Sequence, residues 1–332
     1  MTFLETEELL YFIKINFEKE LIKSLNLTKI SSPLMVLDET GINDDLNGTE
    51  KPISFKINSI KNKKITIVQS LAKWKRLRLK YYDIKPKYGI LTDMRAIRPD
   101  EKLSPLHSIY VDQWDWEKYL TSKDRTIKFL KDSVNLIYKS IKNTEKNLFK
   151  KYSQFIPQLP EHITFIHSEE LLHQYPNLDS IQRENKIAHL HKAVFIIGIG
   201  NKLSNGLVHD NRAPDYDDWS SLNEEDYFGL NGDIIFWNPV TESAFEISSM
   251  GIRVNKESLL KQLNLLNCED RKDLLFHKLI LSNELPLSIG GGIGQSRLCM
   301  FLLRKKHIGE VQSSIWPQKT IESCKKENIY LL

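Results

Sequence analysis

Cysteine is scarce. Only Cys268, Cys299 and Cys324 occur in 332 residues, and no two share a CxxC spacing. That excludes a disulfide framework and a zinc ribbon. Long apolar runs are missing as well. The longest stretches, such as Ala193–Gly200, are strand-sized, short of the ~20 residues that span a bilayer. Apolar residues make up 41% and charged residues 27%, with a mean hydropathy of −0.37. That is a globular composition and argues against a membrane protein. The opening Met-Thr-Phe-Leu-Glu-Thr-Glu-Glu is acidic where a secretory signal is basic. No repeat, low-complexity tract or Pro/Gly/Ser-rich linker divides the chain. These absences predict one domain over residues 1–332 of a cytoplasmic protein, with ample chain for a buried core.

What is present is unevenly charged. The net charge is +4, but ten Lys or Arg lie between Lys61 and Lys87 against the single acid Asp83. Such a block suits nucleic acid, a solvated helix face, or a pocket for anionic substrates. Composition alone leaves all three open.

Periodicity supplies the elements. Leu9, Phe12, Ile13, Phe17, Leu21 and Leu25 recur at helical spacing, so residues from Leu4 to about Leu25 form an amphipathic helix. Leu27–Val36 reads as a strand interrupted by Pro33. Ile53–Ile57 and Ile65–Gln69 read as a hairpin, followed by a helix from Ser70 to about Tyr82 with Ser70 as N-cap. His107–Trp116 alternates as a long two-faced strand, and a Lys-rich helix covers about Lys123–Lys151. Further strands fall at Ile163–His167, Ala193–Ile199, Asp233–Trp237, Ala244–Ser248 and Gly251–Val254. Helices fall at Lys256–Leu266, Arg271–Leu281 and after Gly294. Adjacent strands without intervening helices predict an α+β fold on a mainly antiparallel sheet.

Three segments combine residues that chemistry needs. In Gly290–Arg297, glycines between a strand and a helix admit a ligand close to the backbone. The helix N-terminus and Arg297 there suit an anion; a tight turn is the plainer alternative. In the second, Arg98 precedes a strand that turns Gln113 and Asp115 to one face, fit to hydrogen-bond an amino acid or simply to lie on a surface. In the third, Glu246 within an apolar strand is costly unless paired or metal-bound. Either Arg253 is its ion-pair partner, or Glu246 and the Ser249 hydroxyl hold Mg²⁺. The loops Asp210–Trp219 and Gly41–Gly48 are turn formers or mobile covers. His189 and His191 resemble a metal pair on a strand, but lacking companion ligands they read as structural or exposed.

Taken in order, these segments resemble the three motifs of class II aminoacyl-tRNA synthetases. More closely, the whole chain resembles the ammonia-dependent asparagine synthetases, or aspartate–ammonia ligases. The resemblance is carried by Ser70-Leu-Ala-Lys-Trp-Lys-Arg76, Arg98-Pro-Asp-Glu101, Leu103–Glu117, Arg212–Ser220, Phe245–Val254 and Ile289–Leu298. It implies a homodimer with an antiparallel sheet flanked by helices, acting on L-aspartate, ammonia and ATP without nucleic acid or membrane. It implies a β-aspartyl adenylate intermediate, with AMP and pyrophosphate released. By the same resemblance Arg98 bridges the reacting carboxylate and α-phosphate, and Arg297 contacts the γ-phosphate and adenine. Glu246 and Ser249 hold Mg²⁺, and Lys75 and Arg253 clamp the other carboxylate. Gln113, Asp115 and Asp44 surround the remaining groups of aspartate, and Asp217 belongs to a closing loop. Glu101 or its neighbour Asp100 meets the adenine side, with His107, Val111, Ile247 and Ser248 completing the ATP site. The family loop Gly-Thr-Gln-Asp-Asn-Leu is replaced here by Gly41-Ile-Asn-Asp-Asp-Leu46. The alternative is a relative of aspartyl- or asparaginyl-tRNA synthetases that charges or binds tRNA.

Overall fold

The computed structural model describes residues 2–43, 50–61 and 63–332. Helix α1 (Phe3–Leu25) leads into β1 (Leu27–Lys29), β2 (Met35–Leu37), β3 (Ser54–Lys56) and β4 (Lys64–Ile67). Helix α2 (Ala72–Tyr81), β5 (Gly89–Ile97), β6 (Tyr110–Tyr119) and α3 (Ile127–Lys151) follow. Next come β7 (Thr164–His167), α4 (Ser168–Gln174), α5 (Ser180–His191), β8 (Ala193–Ile197), β9 (Asn231–Asn238) and β10 (Ser243–Ile252). The chain closes with α6 (Lys256–Leu265), α7 (Leu275–Leu281), β11 (Ser288–Gly294), α8 (Gln295–Leu302) and α9 (Gln318–Lys326).

Eight strands form one sheet in the order β1-β5-β6-β11-β10-β9-β8-β7, and β2-β4-β3 form a small second sheet. The large sheet is antiparallel except at its edges, where β1 runs parallel to β5 and β7 parallel to β8. Leu27–Val36 is therefore not one strand. Its two ends pair in different sheets, because the segment around Pro33 carries the chain from one to the other. The expected strands Ala244–Ser248 and Gly251–Val254 are in turn one strand, β10, with a bulge.

One face of the large sheet is filled. Leu9, Ile13, Phe17, Leu21 and Leu25 of α1 share a core with Val134, Ile137 and Ile141 of α3. Trp114, Trp116, Ile293 and Met250 come up from the sheet into that core. The helix α1 starts on a Thr2–Glu5 capping box and stops at Asn26 in the left-handed region, the residue type that tolerates it. On the opposite face α2 lies over β5, β6 and β11. Leu71 and Trp74 pack on Met94 and Ala96 of β5, while Leu171 and Ile187 pack on Val194, Ile196 and Ile235. Between these two apolar patches the middle strands β6, β11 and β10 carry polar side chains and glycine instead.

Polar composition hid three helices from the sequence pattern. Helices α4 and α5 are short and mostly hydrophilic, and each is started by a capping box, His167–Glu170 and Asp179–Gln182. Helix α9 buries only Cys324. His189 and His191 consequently lie in the last turn of α5 and not on a strand, and His189 packs edge-on against Trp237. Among the described residues no helix is long and apolar enough to cross a membrane.

Candidate active site

Strand β6 supplies the floor. Gln113, Asp115 and Glu117 alternate onto the partly covered face while Trp114 and Trp116 enter the core. Opposite them β11 presents glycine: Gly294 pairs with Gln113, Gly292 with Asp115 and Gly290 with Glu117. A Cβ on Gly292 would lie 2.8 Å from Gln113 Cδ, and one on Gly290 would lie 2.7 Å from Glu117 Cδ. The glycines thus belong to the strand itself and not to a turn between strand and helix. Their role is to leave room above the sheet. Helix α8 begins directly after them, and the Ser296 N–H at its start donates to Asp112 Oδ1 at 3.0 Å.

Two cations enter this floor. Lys75, from α2, is fully buried and donates to Asp115 Oδ1 and to the Trp116 carbonyl (2.9 Å). Burial holds the lysine below its ordinary pKa, against the attraction of Asp115 and Glu117. Burial also raises the Asp115 carboxyl, against the pull of Lys75, and Asp115 Oδ2 has no partner among the described residues. Arg253 pairs with Glu117 (2.8 Å) and with Asp217. For Glu117, burial pushes the pKa up, but Arg253, Lys75 and Ser288 more than offset it and the carboxyl is lowered. Arg253 is therefore not the ion-pair partner of Glu246.

The bulge in β10 organises the third group. Pairing with β9 shifts between Glu246, opposite Ile235, and Ser248, opposite Ile234. The extra residue turns Glu246 and Ser249 to the same face, and sends Ser248 to the core face opposite Ile293. The Ser248 side chain accordingly points away from the cleft. Glu246 is not buried as the apolar strand suggested; its side chain is 46% exposed and lies 3.5 Å from Arg297 Nη1. Beside Ser249, Asp233 pairs with Arg212. Its pKa is raised to about 7 by burial and by the charge of Glu246, against the pull of Arg212, and its Oδ1 is unpartnered among the described residues. An orphaned carboxylate oxygen beside a second carboxylate and a hydroxyl is a donor set that fits Mg²⁺.

A cleft reaches Gln113 on the floor and Glu246 on β10. Arg98, Glu101, His107, Val111, Gln113, Glu246, Ile247 and Arg297 all line it. The Arg98 guanidinium donates to the Gln69 carbonyl (3.3 and 3.4 Å). Arg297 donates to the Glu246 carbonyl (3.0 Å) and lies over the Phe245 ring. Burial and Arg297 lower the pKa of His107. Asp100 accepts from the Lys51 N–H at 2.9 Å, whereas Glu101 lines the cleft. Asp44 lies outside the described residues. Sequence reasoning missed Glu117, Asp233 and Arg212. Glu117 was accessible to it, as the next residue in the alternation from Gln113 and Asp115. Asp233 was not, because only the pairing of β9 with β10 brings it to Ser249.

The basic block also resolves. Lys73, Lys75 and Arg76 are buried, and Lys73 pairs with Asp215 at 2.8 Å. Lys63, Lys64, Lys80 and Lys85 pair with surface acids. The block is thus not a uniformly solvated face, since three of its basic side chains are buried.

A family model described as aspartate-ammonia ligase matches residues 4–328. The chain belongs to the aspartate–ammonia ligase family. It is 52% identical over 328 residues to an aspartate–ammonia ligase of Parabacteroides distasonis, covering 99% of this chain and 95% of that protein. It is 53% identical over 328 residues to one of Clostridium perfringens, with the same coverages of 99% and 95%. In structure, this ligase resembles asparaginyl-tRNA synthetase of Pyrococcus horikoshii complexed with asparaginyl-adenylate. The TM-score is 0.69 at 13% identity, covering 94% of this chain and 69% of the synthetase. A similar match to asparaginyl-tRNA synthetase of Entamoeba histolytica has a TM-score of 0.67 at 14% identity, over 93% of this chain and 66% of that one. The fold of this ligase is that of the class II synthetases.

Proposed function

We propose that this aspartate–ammonia ligase makes L-asparagine through a β-aspartyl adenylate, in the cleft between Arg98 and Arg297. The observation that carries the reading is the convergence on one sheet face of two arginines, a carboxylate–hydroxyl set, and a polar floor beside a glycine strand. In the first step a β-carboxylate oxygen attacks the α-phosphorus of ATP. The bond to the bridging oxygen breaks, and pyrophosphate leaves. A carboxylate approaching a phosphate brings like charges together, so fixed cations there lower the barrier. Arg98 spans the reacting carboxylate and α-phosphate, and Arg297 meets the γ-phosphate and the base. Glu101, His107, Val111 and Ile247 line the ATP side, with the Ser248 contribution limited to its backbone. Glu246, Ser249 and Asp233 would hold Mg²⁺, which when bound neutralises phosphate charge.

The α-carboxylate of aspartate enters beside Lys75 and Arg253, with Gln113 and Asp217 around it. Asp115, Glu117 and Asp217 gather around Lys75 and Arg253, and the α-ammonium of aspartate meets this acidic group. In the second step ammonia attacks the β-carbonyl carbon, AMP leaves, and the nitrogen gives up a proton. Asp115 or Asp44 accepts it; the raised pKa and free Oδ2 of Asp115 suit that transfer.

Ammonia and not glutamine is the nitrogen source in this reading, since glutamine use needs an activated cysteine. Cys299 is buried, its thiol pushed up to about 12 by that burial, and burial raises Cys324 also. The enzyme in this reading is cytoplasmic, acts without tRNA, and is a homodimer. Leu34, Met35, Leu37 and Phe55 on and beside the small sheet are exposed, and a second copy would cover such surface. Light scattering measures that assembly. The deciding assay incubates protein with aspartate, ATP and Mg²⁺, adding ammonium or glutamine. Asparagine, AMP and pyrophosphate in equal amounts with ammonium alone support the reading; ADP as product, or equal use of glutamine, refutes it.

A further inference from the structure

Gln312 lies between α8 and α9 and lines the same cleft as Arg98 and Arg297. It is 4% exposed. Its amide is held one way round: Nε2 donates to Ser296 Oγ at 3.0 Å and to Asp112 Oδ1 at 3.4 Å. A carboxylate accepts only from the nitrogen end. Asp112 is itself fixed, since its Oδ1 accepts from the Ser296 N–H and its Oδ2 meets Lys14 at 3.2 Å. The oxygen end of Gln312 therefore has a defined position, and among the described residues Oε1 has no hydrogen-bond partner. A buried acceptor left without a donor is a deficit that a bound group removes. The neighbouring walls of the cleft are Leu106, Val111, Ile247 and Ile308, apolar surface suited to a flat ring.

We propose that Gln312 is a specificity-determining residue for the nucleotide, its Oε1 accepting a hydrogen bond from the exocyclic amine of adenine. Guanine and hypoxanthine carry a carbonyl oxygen at that position, and two acceptors would then face each other. The inference rests on the assignment of this cleft to ATP.

The test compares two nucleotides on two proteins. ATP and the triphosphate of purine riboside, which lacks only the amine, are assayed with the wild type and with Gln312→Leu. In the wild type, kcat/KM falls by about 10-fold or more when the amine is missing. In Gln312→Leu the two nucleotides are used equally well. If Gln312 only supports Asp112 and α8, the variant loses activity with both nucleotides alike and keeps the wild-type ratio, which overturns the inference. A wild type indifferent to the amine overturns it too, and that half of the experiment needs no folded variant. Absence of ATP-dependent asparagine formation in the wild type is a separate outcome: it refutes the assignment of the cleft, not the base preference alone.

Discussion

Glu246 and Ser249 face the same side of the sheet although an unbroken strand would set them on opposite sides, because the pairing of β10 with β9 slips between them. That slip brings a carboxylate and a hydroxyl beside Asp233. Glu246→Gln should raise the Mg²⁺ concentration for half-maximal activity by at least ~10–100-fold, the range for disturbing groups that support a metal. Thermal stability should hold, as the side chain is 46% exposed. An unchanged Mg²⁺ titration would remove Glu246 from the metal site.

Arg98 and Arg297 bond to backbone carbonyls in the cleft, so neither is needed to neutralise a buried acid. Arg98→Ala and Arg297→Ala should each raise the barrier by about 2–4 kcal/mol, the range for losing one preorganised charge-stabilising donor. Circular dichroism should be unchanged. Near-normal kcat/KM in either variant would show that its charge does not act on the phosphates.

The glycine strand separates binding from stability. In Gly292→Ala the new methyl meets the end of the Gln113 side chain, which can swing aside, so KM for aspartate should rise while the fold survives. In Gly290→Ala it meets Glu117 and Arg253, a buried pair with nowhere to go. Overpacking there costs typically about 1–3 kcal/mol, and the urea midpoint should fall. Equal stability loss in both variants would contradict the distinction.

Much of this site was legible because its motifs are local. Arg98, Gln113 with Asp115, Glu246 with Ser249, and Arg297 each announce themselves within a few residues. The motif order supplied the fold class. What stayed hidden depends on partners far away in sequence. Arg253 and Glu117 are 136 residues apart, and Lys73 meets Asp215 across 142. Spacing also misleads about burial: Glu246 in an apolar stretch is exposed, because the bulge turns it outward. Strand register, which pattern alone does not specify, decided that Ser248 faces the core while Ser249 shares the face of Glu246.

Asp215 is buried among Lys73 (2.8 Å), His277 (2.9 Å) and Arg271 (3.2 Å). Burial disfavours its charge, but Lys73 and His277 more than offset that and hold the carboxyl far below its ordinary 3.8. A depressed carboxylate contributes stability above its unfolded pKa and loses it as pH falls toward the folded value. Asp215→Asn should therefore destabilise the protein at pH 7, by up to about 3–5 kcal/mol, the range for breaking a buried ion pair. The gap from wild type should narrow in urea unfolding repeated below pH ~4. A gap independent of pH would mean that the charge of Asp215 contributes nothing.

The orientation of aspartate is the sharpest test of the assigned chemistry. Lys75 and Arg253 lie at the Asp115–Glu117 end of the floor, while Arg98 lines the cleft with Arg297. If the α-carboxylate is held at the first end, only the β-carboxylate can reach the α-phosphate. A synthetase that charges tRNA needs the opposite orientation, because it activates the α-carboxylate. Hydroxylamine is a small neutral nucleophile that can take the place of ammonia and trap the activated group. With aspartate, ATP and Mg²⁺ the product should be the β-hydroxamate, identified by mass spectrometry against both isomeric standards. Lys75→Met should weaken aspartate binding without switching the isomer, since Arg253 still holds the α-carboxylate end. An α-hydroxamate from the wild type would mean that aspartate binds the other way round, and the roles given to Lys75, Arg253 and Arg98 would all have to be reassigned.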